Sequence, residues 1–234
     1  MGISHYLAMT AAEIEAAQTL PQELAYMACH FAPYGTGLIG CPEALPNASM
    51  LIINDRIPYC GHDVSQIADQ LSVWVRQLSC SCILLDFQRA DTPVSLGKFL
   101  ANTLCIPVGI SPDFAGNGDY PVFLPPAPPD QPLETYLQPW TGREIWLENT
   151  PEIHRLTLDN HGCRREIMPA EESGAFPFSD SALHCHYRTE VFPDRAVFTL
   201  RRTPEDSEQL LASAEALGVT RTVSLYQHVK KLPV

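Results

Sequence analysis

The sequence predicts one α/β domain over residues 1–234, a (β/α)8 TIM-barrel-like fold with a β-hairpin insertion near 153–168. Three observations lead there. Short apolar runs alternate with amphipathic helical stretches along most of the chain. The runs are continuously apolar, as strands covered on both faces must be. The length of 234 residues, with 45% hydrophobic and 18% charged, is enough to fill one barrel.

Tyr6-Leu7-Ala8-Met9 reads as the first strand, and Thr10 with Glu13 forms a capping box that opens a helix to about residue 18. Residues 24–29 and 49–54 are the next two apolar runs, separated by a Gly/Pro-rich loop. Asp63 caps a helix in which Val64, Ile67, Leu71, Trp74 and Leu78 recur at three- and four-residue steps. Residues 82–88 form the fourth run. A helix carrying Leu96, Phe99 and Leu100 leads to a fifth at 104–110. Residues 121–124 and 144–147 are shorter strand candidates, with a Pro-rich loop at 125–139 between them. Two β-like runs flank Asp159-Asn160-His161-Gly162, a turn signal with glycine available for positive φ. Another strand follows at 196–200. Thr203 caps a helix with Pro204 at its first position, Leu210, Leu211, Ala214 and Leu217 as its stripe and Gly218 at its end; residues 222–226 are the last strand.

Charge and composition narrow the function classes. With 27 acidic and 15 basic residues the net charge is −12, and the basic pairs Arg164/Arg165, Arg201/Arg202 and Lys230/Lys231 are isolated, so no nucleic-acid partner is expected. No apolar run approaches the roughly 20 residues of a membrane helix, and no basic stretch followed by an apolar core opens the chain. Gly2 lacks the Ser or Thr of a myristoylation signal, Tyr6 standing in that place. Cys29, Cys80, Cys82 and Cys105 lie in apolar runs, which points to buried free thiols in a cytoplasmic protein with no membrane partner. The patterns Cys80-x-Cys82, Cys60-x-His62 and His184-Cys185-His186 lack zinc-site spacing, so no metal or other cofactor is expected. There is no Gly-x-Ser-x-Gly elbow and no phosphate-cradling glycine loop.

Barrels of this class carry their sites at the strand C-termini, so the polar residues that follow each apolar run are the candidates: Thr10, His30, Asn54, Asp55, Asp86, Gln88, Ser111, Asp113, Glu148, Tyr226 and Gln227. The fourth run, Ser81-Cys82-Ile83-Leu84-Leu85-Asp86-Phe87-Gln88, resembles the Asp-x-x-Asp-x-Asp-x-Glu motif of family 18 glycoside hydrolases, the chitinase-like barrels. Ser81 and Leu84 replace the first two aspartates, Asp86 retains the third, Phe87 fills an aromatic slot, and Gln88 replaces the acid. The closing helix and strand also resemble that family's, with Tyr226 at a floor position usually held by Trp.

The resemblance implies a site in which an acid protonates the leaving oxygen while a neighbouring aspartate orients the substrate acetamido group. A glutamine cannot donate that proton, so a catalytically impaired, carbohydrate-binding barrel is expected. Asp86, Gln88 and the mouth carboxylate Glu148 are the candidate catalytic positions. His30, Asn54, Asp55, Phe87 and Tyr226 are the candidate substrate contacts, and a glycan or small molecule is the expected partner. Mouth aromatics such as Tyr34, Trp146 and Tyr226 could stack on sugar rings.

Two other classes remain open. One is a metal-dependent barrel hydrolase using His30, Asp55, Asp86 and Glu148, or His184 and His186, which would share a face two apart on a strand. The other is a non-enzymatic protein-interaction barrel, with the 153–168 hairpin serving self-association.

Overall fold

The structure, a computed structural model, describes residues 2–61, 63–116, 118–168 and 174–229; His62, Lys230 and Lys231, named above, lie outside them. The chain opens with β1 (Ser4–Met9) and α1 (Ala11–Ala16), where the capping box forms as expected: the Thr10 amide donates to Glu13 Oε2 at 2.8 Å and the Glu13 amide to Thr10 Oγ1 at 3.3 Å. Then come β2 (Leu24–Phe31), the two-residue β3 (Leu38–Ile39), β4 (Met50–Asn54), α2 (Val64–Leu78), β5 (Cys82–Asp86), α3 (Val94–Thr103), β6 (Val108–Ile110), α4 (Pro112–Ala115) and β7 (Val122–Leu124). The stretch expected to be loop at 125–139 contains a short helix, α5 (Leu133–Leu137), which buries Leu133 and Leu137. Its prolines precede the helix or stand in the 3-10 turn after it, where they do not interrupt the helical hydrogen bonds.

β8 (Ile145–Glu148) ends the first run of strands. The expected hairpin follows as β9 (Ile153–Asp159) and β10 (Gly162–Met168), then β11 (Phe178–Asp180), β12 (Cys185–Val191), β13 (Arg195–Arg201), α6 (Pro204–Ala216), β14 (Val219–Leu225) and α7 (Tyr226–Val229). Eight strands, β1, β2, β4, β5, β6, β7, β8 and β14, pair in parallel. β1 is bonded to both β2 and β14, so the sheet closes on itself, with β3 antiparallel on the outside of β2. This is the predicted eight-stranded α/β barrel.

Strand periodicity divides the core in two. Outward side chains such as Leu51, Ile53, Ile83, Leu85, Phe87 and Ile110 meet Ile67, Leu71 and Trp74 of α2 and Leu96 and Leu100 of α3. Inward ones, Tyr6, Ala8, Ala25, Met50, Ile52, Cys82, Leu84, Phe123, Trp146 and Val223, fill the barrel itself. Trp146 is fully buried, and its indole occupies the space where a Cβ on Gly109 would stand. The indole Nε1–H donates to Glu144 Oε1 at 2.8 Å, and the Arg221 guanidinium lies 4.7 Å from its ring centroid.

The hairpin is part of something larger. The strand expected at 196–200 belongs to a second, five-stranded antiparallel sheet, ordered β10-β9-β13-β12-β11, between β8 and α6. A half-buried sheet gives the same local signals as barrel strands, and its pairing is visible only in three dimensions. Arg202 rivets this sheet to the barrel: its guanidinium donates to the carbonyls of Leu183 and Pro128 at 3.3 Å, of His184 at 3.2 Å, and of Ala127. His184 lies outside β12 at φ 48, so it does not share a strand face with His186. Its Nε2 is 3.1 Å from Ser213 Oγ, while His186 Nδ1 is 2.7 Å from Asp206 Oδ2. Both therefore link the insertion to α6.

Among the cysteines, Cys29, Cys80, Cys82 and Cys185 are buried, but Cys105, expected inside a strand, is exposed in the turn before β6. None of the eight cysteines is in a disulfide. Burial raises the Cys29 and Cys82 thiols above the ordinary range and pushes Cys80 up to about 12, so none of these three is primed as a nucleophile.

Gly109→Ala should lower stability by about 1–3 kcal/mol in chemical denaturation, because the added methyl must displace a buried indole; unchanged stability would mean that the interior is loosely packed. Thiol titration of the denatured protein, without oxidant, should find eight free groups, and six or fewer would reveal disulfides.

Candidate functional site

The alternation that sends Phe87 outward sends Leu84, Asp86 and Gln88 to the barrel axis, and from other strands Asn54, Phe123 and Glu148. They meet at the C-terminal mouth in a cleft of about 480 Å³ lined also by Ala8, Met27, Ile52, Asp55, Arg56, Arg89, Val223 and Leu225. A second hollow of about 250 Å³ is lined by Ser111, Pro112, Asp113 and Pro125, and it shares Asp86, Gln88, Phe123 and Glu148 with the first. Asp86 and Glu148 thus stand where the two hollows meet, above a floor of apolar side chains.

Asp55 shapes this mouth from below the surface. Its buried carboxylate accepts the Gln88 amide at 3.0 and 3.1 Å, the Arg89 amide at 2.9 Å and the Thr92 hydroxyl at 2.7 Å. The end of β4 is thereby tied to the loop after β5, which fixes the backbone that presents Gln88. Gln88 Nε2 in turn donates to Asp86 Oδ1 at 3.2 Å. Asn54 helps to set the neighbouring loop, with Nδ2 donating to Met27 O at 3.4 Å and Oδ1 accepting the Arg56 amide at 3.2 Å.

Burial raises the Asp86 carboxyl above its ordinary value; the Gln88 hydrogen bond opposes this and the Asp55 charge adds to it. Glu148 is also raised by burial, against the Thr150 hydroxyl that donates to its Oε1 at 2.6 Å, with the charges of Asp86 and Glu152 adding to the rise. The Asp86 charge therefore works against ionisation of Glu148. In place of the two lost aspartates, Ser81 Oγ donates to Ala48 O at 2.7 Å and lies 3.0 Å from Tyr6 Oη, while Leu84 is buried beneath Asp86. No carboxylate ladder stands under the site.

Of the expected substrate contacts, Asn54 and Asp55 line the cleft. His30 does not; its Nδ1 lies 3.0 Å from Ala28 O. Phe87 borders the smaller hollow, but its ring is buried between Phe31 and Phe114, with centroids 5.6 and 5.7 Å away. Tyr226 begins α7, and the cleft is lined by its predecessor Leu225. Trp146 plugs the barrel below the cleft, and Tyr34 is exposed on the loop after β2, outside the cleft lining. Among the described residues, no three His, Cys, Asp or Glu side chains gather as a metal would require. The sequence reading missed Phe123, Arg56, Arg89 and Thr150. Phe123 was legible by alternation within residues 121–124, whereas the other three lie on loops that carry no periodicity.

No family model matches the chain, and no curated protein matches it. Solved structures do. The spore cortex-lytic enzyme SleL of Bacillus megaterium superposes with a TM-score of 0.56 at 10% identity, covering 95% of this chain and 70% of its own. A chitinase from Chromobacterium violaceum gives 0.53 at 11% identity, covering 96% and 94%. The C-terminal domain of a putative chitinase from Desulfitobacterium hafniense gives 0.53 at 10%, covering 96% and 93%. At these identities the agreement is one of fold: the chain has a divergent form of the eight-stranded parallel barrel found in these chitinase-like and cortex-lytic proteins.

Proposed function

We propose that the protein binds a glycan across the barrel mouth and that chitinase-type cleavage is impaired because Gln88 stands in place of the proton donor. The carrying observation is the pairing of Gln88 with Asp86 at 3.2 Å inside a cleft that offers both apolar and polar surface. Phe123 and the aliphatic floor suit the apolar face of a sugar ring, and Asp86, Asn54 and Glu148 suit its hydroxyl and amide groups. Gln88 can donate a hydrogen bond and cannot release a proton. A reducing, cytoplasmic setting fits eight cysteines without a disulfide among them. Among the described residues no helix is long and apolar enough to cross a membrane.

A second reading rests on Glu148. It is a carboxyl raised by burial, held by Thr150 and bordering the same cleft as Asp86, as a substitute proton donor would be. Turnover assays separate the two. Under the first reading the wild-type protein does not cleave N-acetylglucosamine oligomers above background, while calorimetry detects a glycan whose affinity falls at least about fivefold in Phe123→Ala and in Asp86→Ala, the equivalent of about 1 kcal/mol. Hydrolysis that disappears in Glu148→Gln or Asp86→Ala would overturn it in favour of the second. A glycan screen with no binder would leave a protein-interaction barrel as the better account.

The carboxyl pair also makes a stability prediction. A carboxyl raised in the folded state favours folding while protonated, and that benefit is lost as pH climbs from its unfolded value through its folded one. Glu148→Gln cannot suffer the loss. Its thermal midpoint should gain on the wild type as pH rises from about 4 to 8, and parallel curves would show that Glu148 is not desolvated.

A further inference from the structure

We propose that the Arg56 side of the cleft selects glycans that carry a carboxylate, with the Arg56 guanidinium as the recognising group; this rests on the glycan reading above. The chain is strongly acidic, at −12 net, and the mouth itself holds Asp55, Asp86 and Glu148, so its general field repels anions. Within that field the cations are nearly all committed. Arg89, the other arginine of the cleft, forms a two-pronged pair with Asp91 at 2.9 and 3.0 Å. Arg164 and Arg165 meet Asp159 and Asp130, Arg221 meets Glu144, and Arg202 is spent on carbonyls. Arg56 borders the cleft, and among the described residues its guanidinium has no hydrogen-bond or ion-pair partner; only its backbone amide is engaged, by Asn54.

The acidic groups beside Arg56 do not cancel it. Asp55 is buried and already accepts two amides and a hydroxyl. Asp86 and Glu148 stand where the cleft meets the smaller hollow, whose own lining includes Asp113. The cleft is therefore polarised along its length, with an uncommitted guanidinium on one wall and carboxyls at the junction. A neutral chain gains nothing from that polarity. A chain bearing a carboxylate gains a two-pronged, charge-assisted pair at Arg56 and is held in one direction, its acidic ring away from Asp86. The required chemistry is a ring carboxylate or a carboxylate on an ether arm of the sugar.

Calorimetry with four tetrasaccharides tests this: the neutral N-acetylglucosamine tetramer, a hyaluronan tetrasaccharide, its carboxyl-reduced form, and an oligomer of N-acetylglucosamine alternating with N-acetylmuramic acid. At low salt at least one acidic ligand should bind at least about fivefold more tightly than the neutral tetramer. The hyaluronan arm reports a uronic acid, with its carboxyl-reduced form as the matched neutral control, and the muramic arm a lactyl carboxylate. Raising the salt should shrink the advantage. Arg56→Gln should bring the acidic-to-neutral ratio close to one, with circular dichroism verifying the fold, whereas Arg76→Gln, on α2 away from the cleft lining, should keep the wild-type ratio. Equal affinity for acidic and neutral ligands, or a preference that survives Arg56→Gln, overturns the inference and leaves the glycan reading standing. Binding of none of the four overturns both.

Discussion

A closed barrel of parallel strands has to fill its own interior, and here that demand is met chiefly by one indole. Trp146 enters from β8 and takes the room left by the missing side chain of Gly109 on β6, with Arg221 against its ring and Glu144 on its nitrogen. The space left around it is shared by small groups, Ala8, Ala25 and Cys82, and larger ones, Tyr6, Met50, Ile52, Leu84, Phe123 and Val223. Fully buried, the indole lies below the cleft, and the polar side chains of the mouth stand above it.

That depth decides the character of the mouth. Directly beneath Asp86 lies Leu84, so the carboxylate rests on hydrocarbon and is helped only from the side, by Gln88. The help is dependable because the backbone that carries Gln88 is pinned by Asp55, a charge sacrificed wholly to positioning. The site therefore has two layers of acid: an inner one whose oxygens are satisfied by backbone amides and a hydroxyl, and a half-buried pair whose protonation is contested between burial and hydrogen bonds.

Much of this was legible in the residues. The alternation of apolar runs and amphipathic helices predicts the barrel, and the ends of those runs predict Asn54, Asp55, Asp86, Gln88 and Glu148 at its mouth. What escaped was set by long-range geometry. Whether a strand belongs to the barrel or to the inserted sheet depends on partners far away in the chain; Phe198 pairs with Leu156, and nothing around residue 198 says so. The apolar run predicts a strand to Tyr226, whereas β14 ends at Leu225, and it is Leu225 that lines the cleft. Phe87 satisfied an aromatic slot in a motif while its parity sent it into the helix layer.

The insertion also has a kinetic meaning. β9 and β10 are joined by a two-residue turn and β12 and β13 by a short one, so the sheet can form from local contacts. The barrel cannot: β14 must return past the whole sheet to sit between β8 and β1, pairing residues 4–8 with 221–225 at the opposite end of the chain. Closure therefore carries a large loop-entropy cost, and a chain whose β14 is not seated leaves β1 and β8 with unpaired edges. The insertion adds to that cost, because it separates β14 from its other neighbour, β8, by the whole inserted sheet and α6.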